Sequence, residues 1–186
     1  MVFNAGSSCL RFALFEESAN GRCYALIKGA VNHIGCNAEF IWRHGGRTSQ
    51  MLIDMPDYEY ATEWILDWVR CLWPLGTLIK DIVMVAHRFV YGGGFFSGPV
   101  LVDNPTINKL ESLVPISPGQ TAHALSVLKA TQRHFSKNIP IIAVFDTAFF
   151  NHLPSYTNYA LPKSLMEQYG QRYVYMDLRI IRYIDN

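Results

Sequence analysis

The chain has 186 residues, half of them apolar and 17% charged, which suits one sizeable folded core and excludes a disordered polymer. Its 16 Lys and Arg nearly balance 15 Asp and Glu, and no basic cluster interrupts the sequence, so the charged surface of a nucleic-acid binder is excluded. The four cysteines, at 9, 23, 36 and 71, form no CxxC pair; they predict free, partly buried thiols in a reducing compartment rather than a zinc site or a disulfide framework. Without a charged leader or a run of 18 apolar residues, the expectation is a cytoplasmic protein with no membrane partner.

In chain order, residues 1–8 and 9–16 predict two short strands around the turn Ala5-Gly6-Ser7-Ser8. Further strands are expected over 23–33, 38–44 and 48–54, separated by turns at Asn20-Gly21 and at His44-Gly45-Gly46-Arg47. The front of the chain is therefore a strand-rich meander. Apolar side chains at 58, 61, 65, 69 and 72 then recur at helical spacing, with Asp57 placed to cap the start and Pro74 to close the helix. The run Ile82-Val83-Met84-Val85-Ala86 predicts a strand buried on both faces. Asn104-Pro105 opens a helix over 105–113, and a second is expected from about Thr121 to Phe135, with Ala124, Leu125, Leu128 and Thr131 on one face. Residues 140–146 predict another buried strand, ending on Asp146. The section 151–186 is Tyr-rich and polar, with one helical piece near 162–169. The sum is an α/β layout with a mixed sheet.

Three strand ends carry the candidate chemistry. Asn4-Ala5-Gly6-Ser7-Ser8 offers backbone N–H groups and two hydroxyls in a tight turn, with Arg11 nearby; it reads either as a plain hairpin or as an anion nest. It is not a P-loop, because GxxxxGK[ST] is absent. His87-Arg88 leaves an apolar strand just ahead of Gly92-Gly93-Gly94. An arginine there is costly to bury unless paired or given an anion, so it reads as a supporting ion pair or as a clamp for a carboxylate or phosphate. Asp146 at the end of its strand either caps the following turn or holds a hydrated magnesium ion or a transferring phosphoryl group.

Taken together, VFNAGSSCLRFALFE, HRFVYGGG and VFDTAFF, with YALPKSLMEQYGQRY behind them, resemble the N-terminal part of an acetate kinase, in the right order and over nearly the whole chain. The resemblance implies a mixed-sheet, ribonuclease-H-like fold of the actin-type ATPase class. It divides the chain into an N-terminal domain over 1–150 and the beginning of the inter-domain and second-domain region over 151–186, with the second domain itself lacking. It implies phosphoryl transfer between ATP and acetate or propionate with Mg²⁺. By position, Asn4, Ser7, Arg11, Arg88 and Gln120 would bind substrate and phosphate. Arg88 and Asp146 would be catalytic, and Asn4 and Asp146 would lie on the metal side.

Departures from the family pattern shape the functional expectation. Cys9 stands where a serine is usual, Arg11 where a lysine is usual, and Tyr91 where the pattern has histidine. Gln120 takes the place of a phosphate-contacting histidine and cannot carry its positive charge. After Arg172-Tyr173 the chain runs Val174-Tyr175-Met176, with Met176 in the place of the transition-state histidine. Phosphoryl transfer depends on positioning and on neutralising charge in a closed cleft. The expectation is therefore an activity impaired or lost in this chain, with self-association or a complementing partner chain as a corollary. The alternative is a non-catalytic domain, derived from the kinase, that binds an anion or a protein.

Overall fold

The computed structural model describes residues 1–72, 81–135 and 139–150. Eight strands form one mixed sheet in the order β5-β4-β3-β2-β1-β6-β8-β7. The strands are β1 (Val2–Ala5), β2 (Cys9–Glu17), β3 (Cys23–Asn32), β4 (Glu39–His44), β5 (Arg47–Leu52), β6 (Val85–Phe89), β7 (Val100–Leu101) and β8 (Ile141–Phe145). From β1 to β5 each strand pairs antiparallel with the next, which is the expected meander. β6 pairs parallel with β1, and β8 parallel with β6. That shared direction brings the carboxyl ends of β1, β6 and β8 to one rim of the sheet, where open α/β sheets collect their ligands.

Three helices, α1 (Tyr58–Leu72), α2 (Asn104–Ser112) and α3 (Pro118–His134), and a 3₁₀ turn over Asp146–Phe150 complete the described fold. Asp57 caps α1 as expected, accepting from the Tyr60 N–H at 2.8 Å. Asp103 does the same for α2 through the Thr106 N–H at 2.8 Å. Such caps contribute about 1 kcal/mol each. Alternation along the strands sends Phe3, Leu10, Phe12, Leu14, Val85, Phe89, Ala143 and Phe145 into the core beneath the helices. Trp64 and Trp68 of α1 meet the Phe40 ring edge-on, each at 4.8 Å between centroids. Aromatic contacts of this kind add about 0.5–1.5 kcal/mol beyond the area they bury. His87 is also on this face: it is 1% exposed, stacks on Phe3 and shares a 2.9 Å hydrogen bond between its Nε2 and Thr131 Oγ1 of α3.

The structure corrects several expectations. The strand expected over 82–86 begins at Val85, and Val83 is 81% exposed. Its register is set by its neighbours: the Val85 N–H donates to Pro140 O at 3.0 Å and the Ala86 N–H to Met1 O at 2.9 Å, so pairing begins only where both flanking strands are present. Neither β6 nor β8 is buried on both faces, since Val144 is exposed and Arg88 half-buried. α3 starts at Pro118, whose fixed φ suits the first helical position, rather than near Thr121. The two-residue strand β7 is too short to give a periodic signal in the sequence. All four cysteines are free, but only Cys9 is half-buried; Cys23, Cys36 and Cys71 are exposed. Closure of α1 at Pro74, the helical piece near 162–169 and the whole section 151–186 lie outside the described residues. Among the described residues no helix is long and apolar enough to cross a membrane.

Candidate functional site at three strand ends

Strand register alone assembles a row of side chains on the face turned away from the helices. Asn4 of β1 lies directly opposite Arg11 of β2 on one side and Arg88 of β6 on the other, and Arg88 in turn faces Val144 of β8. Two residues past Val144, Asp146 opens the 3₁₀ turn. Arg88 Nε donates to both Asp146 oxygens, at 2.9 and 3.1 Å, and Nη2 makes a further ion-paired contact with Oδ2. Arg88 Nη1 donates to Asn4 Oδ1 at 2.8 Å. Three strand ends are therefore joined through one guanidinium. A guanidinium has about five N–H donors, and among the described residues this geometry engages three of them. With Arg88 36% and Asp146 20% exposed, the cluster is shielded at its base and open to solvent at its tip.

The glycine stretch behind Arg88 is locked onto the same rim. The Gly92 N–H donates to Thr147 Oγ1 at 3.0 Å, and a Cβ at Gly92 would come within 3.0 Å of the Phe145 ring. Gly93 takes a left-handed φ of 60°, and a Cβ there would meet Leu113 at 2.8 Å. Phe96 stacks on Phe145 with centroids 4.5 Å apart. At Gly92 and Gly93 the backbone thus closes against the protein's own apolar core.

The turn between β1 and β2 is held from beneath. The Gly6 N–H closes the turn onto Cys9 O at 2.8 Å. Gly6 O accepts from Tyr58 Oη at 2.8 Å and from His123 Nδ1 at 3.2 Å, which requires the histidine proton on Nδ1. The Tyr58 and His123 rings stack at 4.1 Å. Burial, with the neighbouring Cys9 thiol, pushes the Tyr58 hydroxyl up to about 12, so it stays a donor throughout the neutral range. Ser7 and Ser8 are exposed at the tip.

Of the expected site residues, the structure brings together Asn4, Arg88 and Asp146. Arg11 is beside Asn4 but exposed, Ser7 is at the exposed tip of its turn, and Gln120 is half-buried in the first turn of α3. Among the described residues, the hydrogen bonds of Arg88 run to Asn4 and Asp146 and not to those three. The histidine that α3 does deliver to the β1–β2 turn is His123, nearly one helical turn beyond Gln120. Sequence reasoning missed His123, Tyr58 and Thr147. Tyr58 registers only as one more apolar position of α1, and His123 lies 117 residues from the carbonyl it contacts. Met176 and its neighbours lie outside the described residues.

Asn4 and Asp146 supply only hard oxygen donors, and a carboxylate oxygen that accepts from arginine keeps a second lone pair. No group of three or more His, Cys, Asp or Glu that could hold a metal exists among the described residues. One carboxylate and one amide oxygen therefore fit a magnesium ion that keeps most of its waters and leans on substrate phosphates, not a protein-only cage.

The acetokinase family matches residues 1–176. The acetate kinase of Corynebacterium jeikeium (strain K411) is 31% identical over 175 residues, covering 92% of this chain and 43% of that protein. The crystal structure of Porphyromonas gingivalis acetate kinase superposes with a TM-score of 0.77 at 30% identity, covering 94% of this chain and 44% of that one. A propionate kinase from Francisella tularensis subsp. tularensis SCHU S4 gives 0.76 at 26% identity, over 92% and 43%. The chain thus spans less than half the length of the relatives it matches.

Proposed function

The chain belongs to the acetokinase family, and on that basis we propose that it carries the carboxylate- and phosphoryl-binding half of a site for phosphoryl transfer between ATP and a short carboxylic acid, acetate or propionate. One observation carries this reading: Arg88 is fixed by Asn4 on one side and Asp146 on the other, at the rim where three parallel strands end. Such a guanidinium is pre-oriented, so it binds an anion without first being ordered.

Each residue has a definite part. Asp146 and Asn4 aim the guanidinium, and its remaining N–H groups take the oxygens of a carboxylate or of a phosphoryl group. Arg88 neutralises charge that spreads over the equatorial oxygens during transfer. Exposed Ser7 and Ser8, with Arg11 opposite Asn4, offer further donors at the same rim. Magnesium, when bound, would rest on Asp146 and Asn4 and supply additional neutralisation of phosphate charge. Names of relatives support the substrates: acetate for one set and propionate for another.

Matching 43–44% of the relatives' length, these 186 residues are proposed to bind the anion but to need the remaining part of the family fold for turnover. The test is acyl-phosphate formation from ATP, Mg²⁺ and acetate, trapped as the hydroxamate, with propionate as second acceptor. The chain alone is expected to match its Arg88→Ala variant at background. Mixing with a separately produced C-terminal part of a related acetate kinase is expected to yield product with wild type and not with Arg88→Ala. Product that is indifferent to Arg88 contradicts the reading.

A second reading, a protein-binding domain without catalysis, is favoured by one observation. Val2, Phe15 and Val144 are exposed along the sheet face that no described helix covers. Size-exclusion behaviour that shifts with Phe15→Ser would support it.

A further inference from the structure

We infer that Tyr58 and His123 are positioning residues that aim the Ser7 N–H of the β1–β2 turn at a bound phosphate. The inference rests on the phosphoryl-binding reading above and adds the device that orients one of its donors.

Gly6 C=O and Ser7 N–H belong to one peptide unit, which is planar and trans, so the two bonds point in opposite directions. Fixing the carbonyl therefore fixes the amide. Gly6 O is held by two donors from two different helices, Tyr58 at the start of α1 and His123 in α3. Both helices pack on the core face of the sheet, so the carbonyl is drawn toward the helix layer and the Ser7 N–H is directed away from it. A glycine turn left to itself would sample several orientations of this peptide. Two donors on one acceptor remove that freedom, and they polarise the peptide so that its N–H becomes a stronger donor.

The rest of the turn fits this role. The Gly6 N–H is spent on Cys9 O inside the turn and is unavailable to a ligand. A Cβ at position 6 would come within 3.1 Å of Cys9 Sγ, so glycine lets the turn close without moving that side chain. The stacked Tyr58 and His123 rings fix each other's planes, so the clamp is one unit and not two independent contacts. A purely structural tie between helices and sheet needs no common acceptor, and elsewhere the same helices and sheet are joined by apolar packing and by the His87–Thr131 bond.

The experiment follows the Ser7 amide by ¹⁵N–¹H NMR while inorganic phosphate is titrated into the full chain. It compares wild type with Tyr58→Phe and His123→Phe, which keep the stacked ring and delete the donor. Without phosphate, each variant is expected to move the Ser7 proton resonance upfield, since a less polarised amide is a weaker donor. With phosphate, affinity is expected to fall about threefold to tenfold in each variant, the range for one neutral hydrogen bond. An unmoved Ser7 resonance in both variants overturns the inference, and so does unchanged affinity in a wild type that binds. If wild type binds no phosphate, the phosphoryl-binding reading fails, and the ligand-free Ser7 resonance still decides whether the clamp orients the peptide.

Discussion

Asn4 and Arg88 are direct Cα partners in the parallel β1–β6 pair, and Arg88 Nη1 donates to Asn4 Oδ1 at 2.8 Å. The contact is a consequence of register. Directly paired residues share a face of the sheet, and a shift of one residue in either strand would turn one of the two side chains into the core. Removing the amide by Asn4→Ala should leave the fold intact and free one guanidinium donor. Phosphate affinity, read by calorimetry, is expected to drop about threefold to tenfold through the lost alignment.

Asp146 should matter more to anion binding than to stability. The pair with Arg88 is charge-assisted and forked, but Arg88 is about one-third exposed, so solvent screens it. A double-mutant cycle of Arg88→Ala and Asp146→Ala by urea unfolding is expected to give a coupling of about 1 kcal/mol or less. Asp146→Asn keeps the shape and loses the charge, and should weaken phosphate binding by disordering the guanidinium. Tighter phosphate binding in that variant would mean that Asp146 only competes with the anion.

Gly93 makes a prediction about the loop behind Arg88. Its φ of 60° disfavours any side chain, and a Cβ would also meet Leu113 at 2.8 Å. Gly93→Ala should cost about 1–3 kcal/mol, seen as a lower denaturation midpoint. Gly94, with open space around its position, is the control, and Gly94→Ala should cost far less.

His87 sets a pH dependence. Burial, and secondarily the chain's own N-terminal ammonium, pushes it down from an ordinary 6.5 to about 3. The unfolded chain therefore binds a proton that the folded one refuses between those values. Its contribution to stability is complete above about pH 6.5 and is lost progressively as pH falls toward 3. Between pH 7 and pH 5 this group alone should remove about 2 kcal/mol, by 1.36 kcal/mol per unit. Urea unfolding at both pH values, in wild type and in His87→Leu, checks it: the variant should be less stable at pH 7 and have a shallower pH slope. An unchanged slope would show that His87 is not the group responsible.

The sequence made the arrangement of elements legible because local signals agreed. Alternation over 9–16, Asp57 ahead of an apolar stripe, and Asn104-Pro105 each have a local cause, and each element formed where that cause placed it. The start of β6 differs from the expected one because Ile82-Val83-Met84 is as apolar as a strand, yet strand pairing needs neighbours on both sides, and the first such hydrogen bonds run from Val85 to Pro140 and from Ala86 to Met1. In the site, Asn4, Arg88 and Asp146 were each visible as polar residues at strand ends. That they meet through one guanidinium follows from topology, which no local pattern encodes. Tyr58 and His123 were invisible as functional residues because a helix face reads a tyrosine as core, and their shared acceptor is a backbone carbonyl with no sequence signal at all.

Calorimetric titration of the chain with acetyl phosphate, in wild type and in Arg88→Ala shown by circular dichroism to be folded, decides whether Arg88 holds an acyl phosphate at this rim. Wild type should show saturable single-site binding, and the variant a loss of about tenfold or more, as expected for a charged hydrogen-bonding partner. Equal binding by the two proteins, or none by either, would contradict that role.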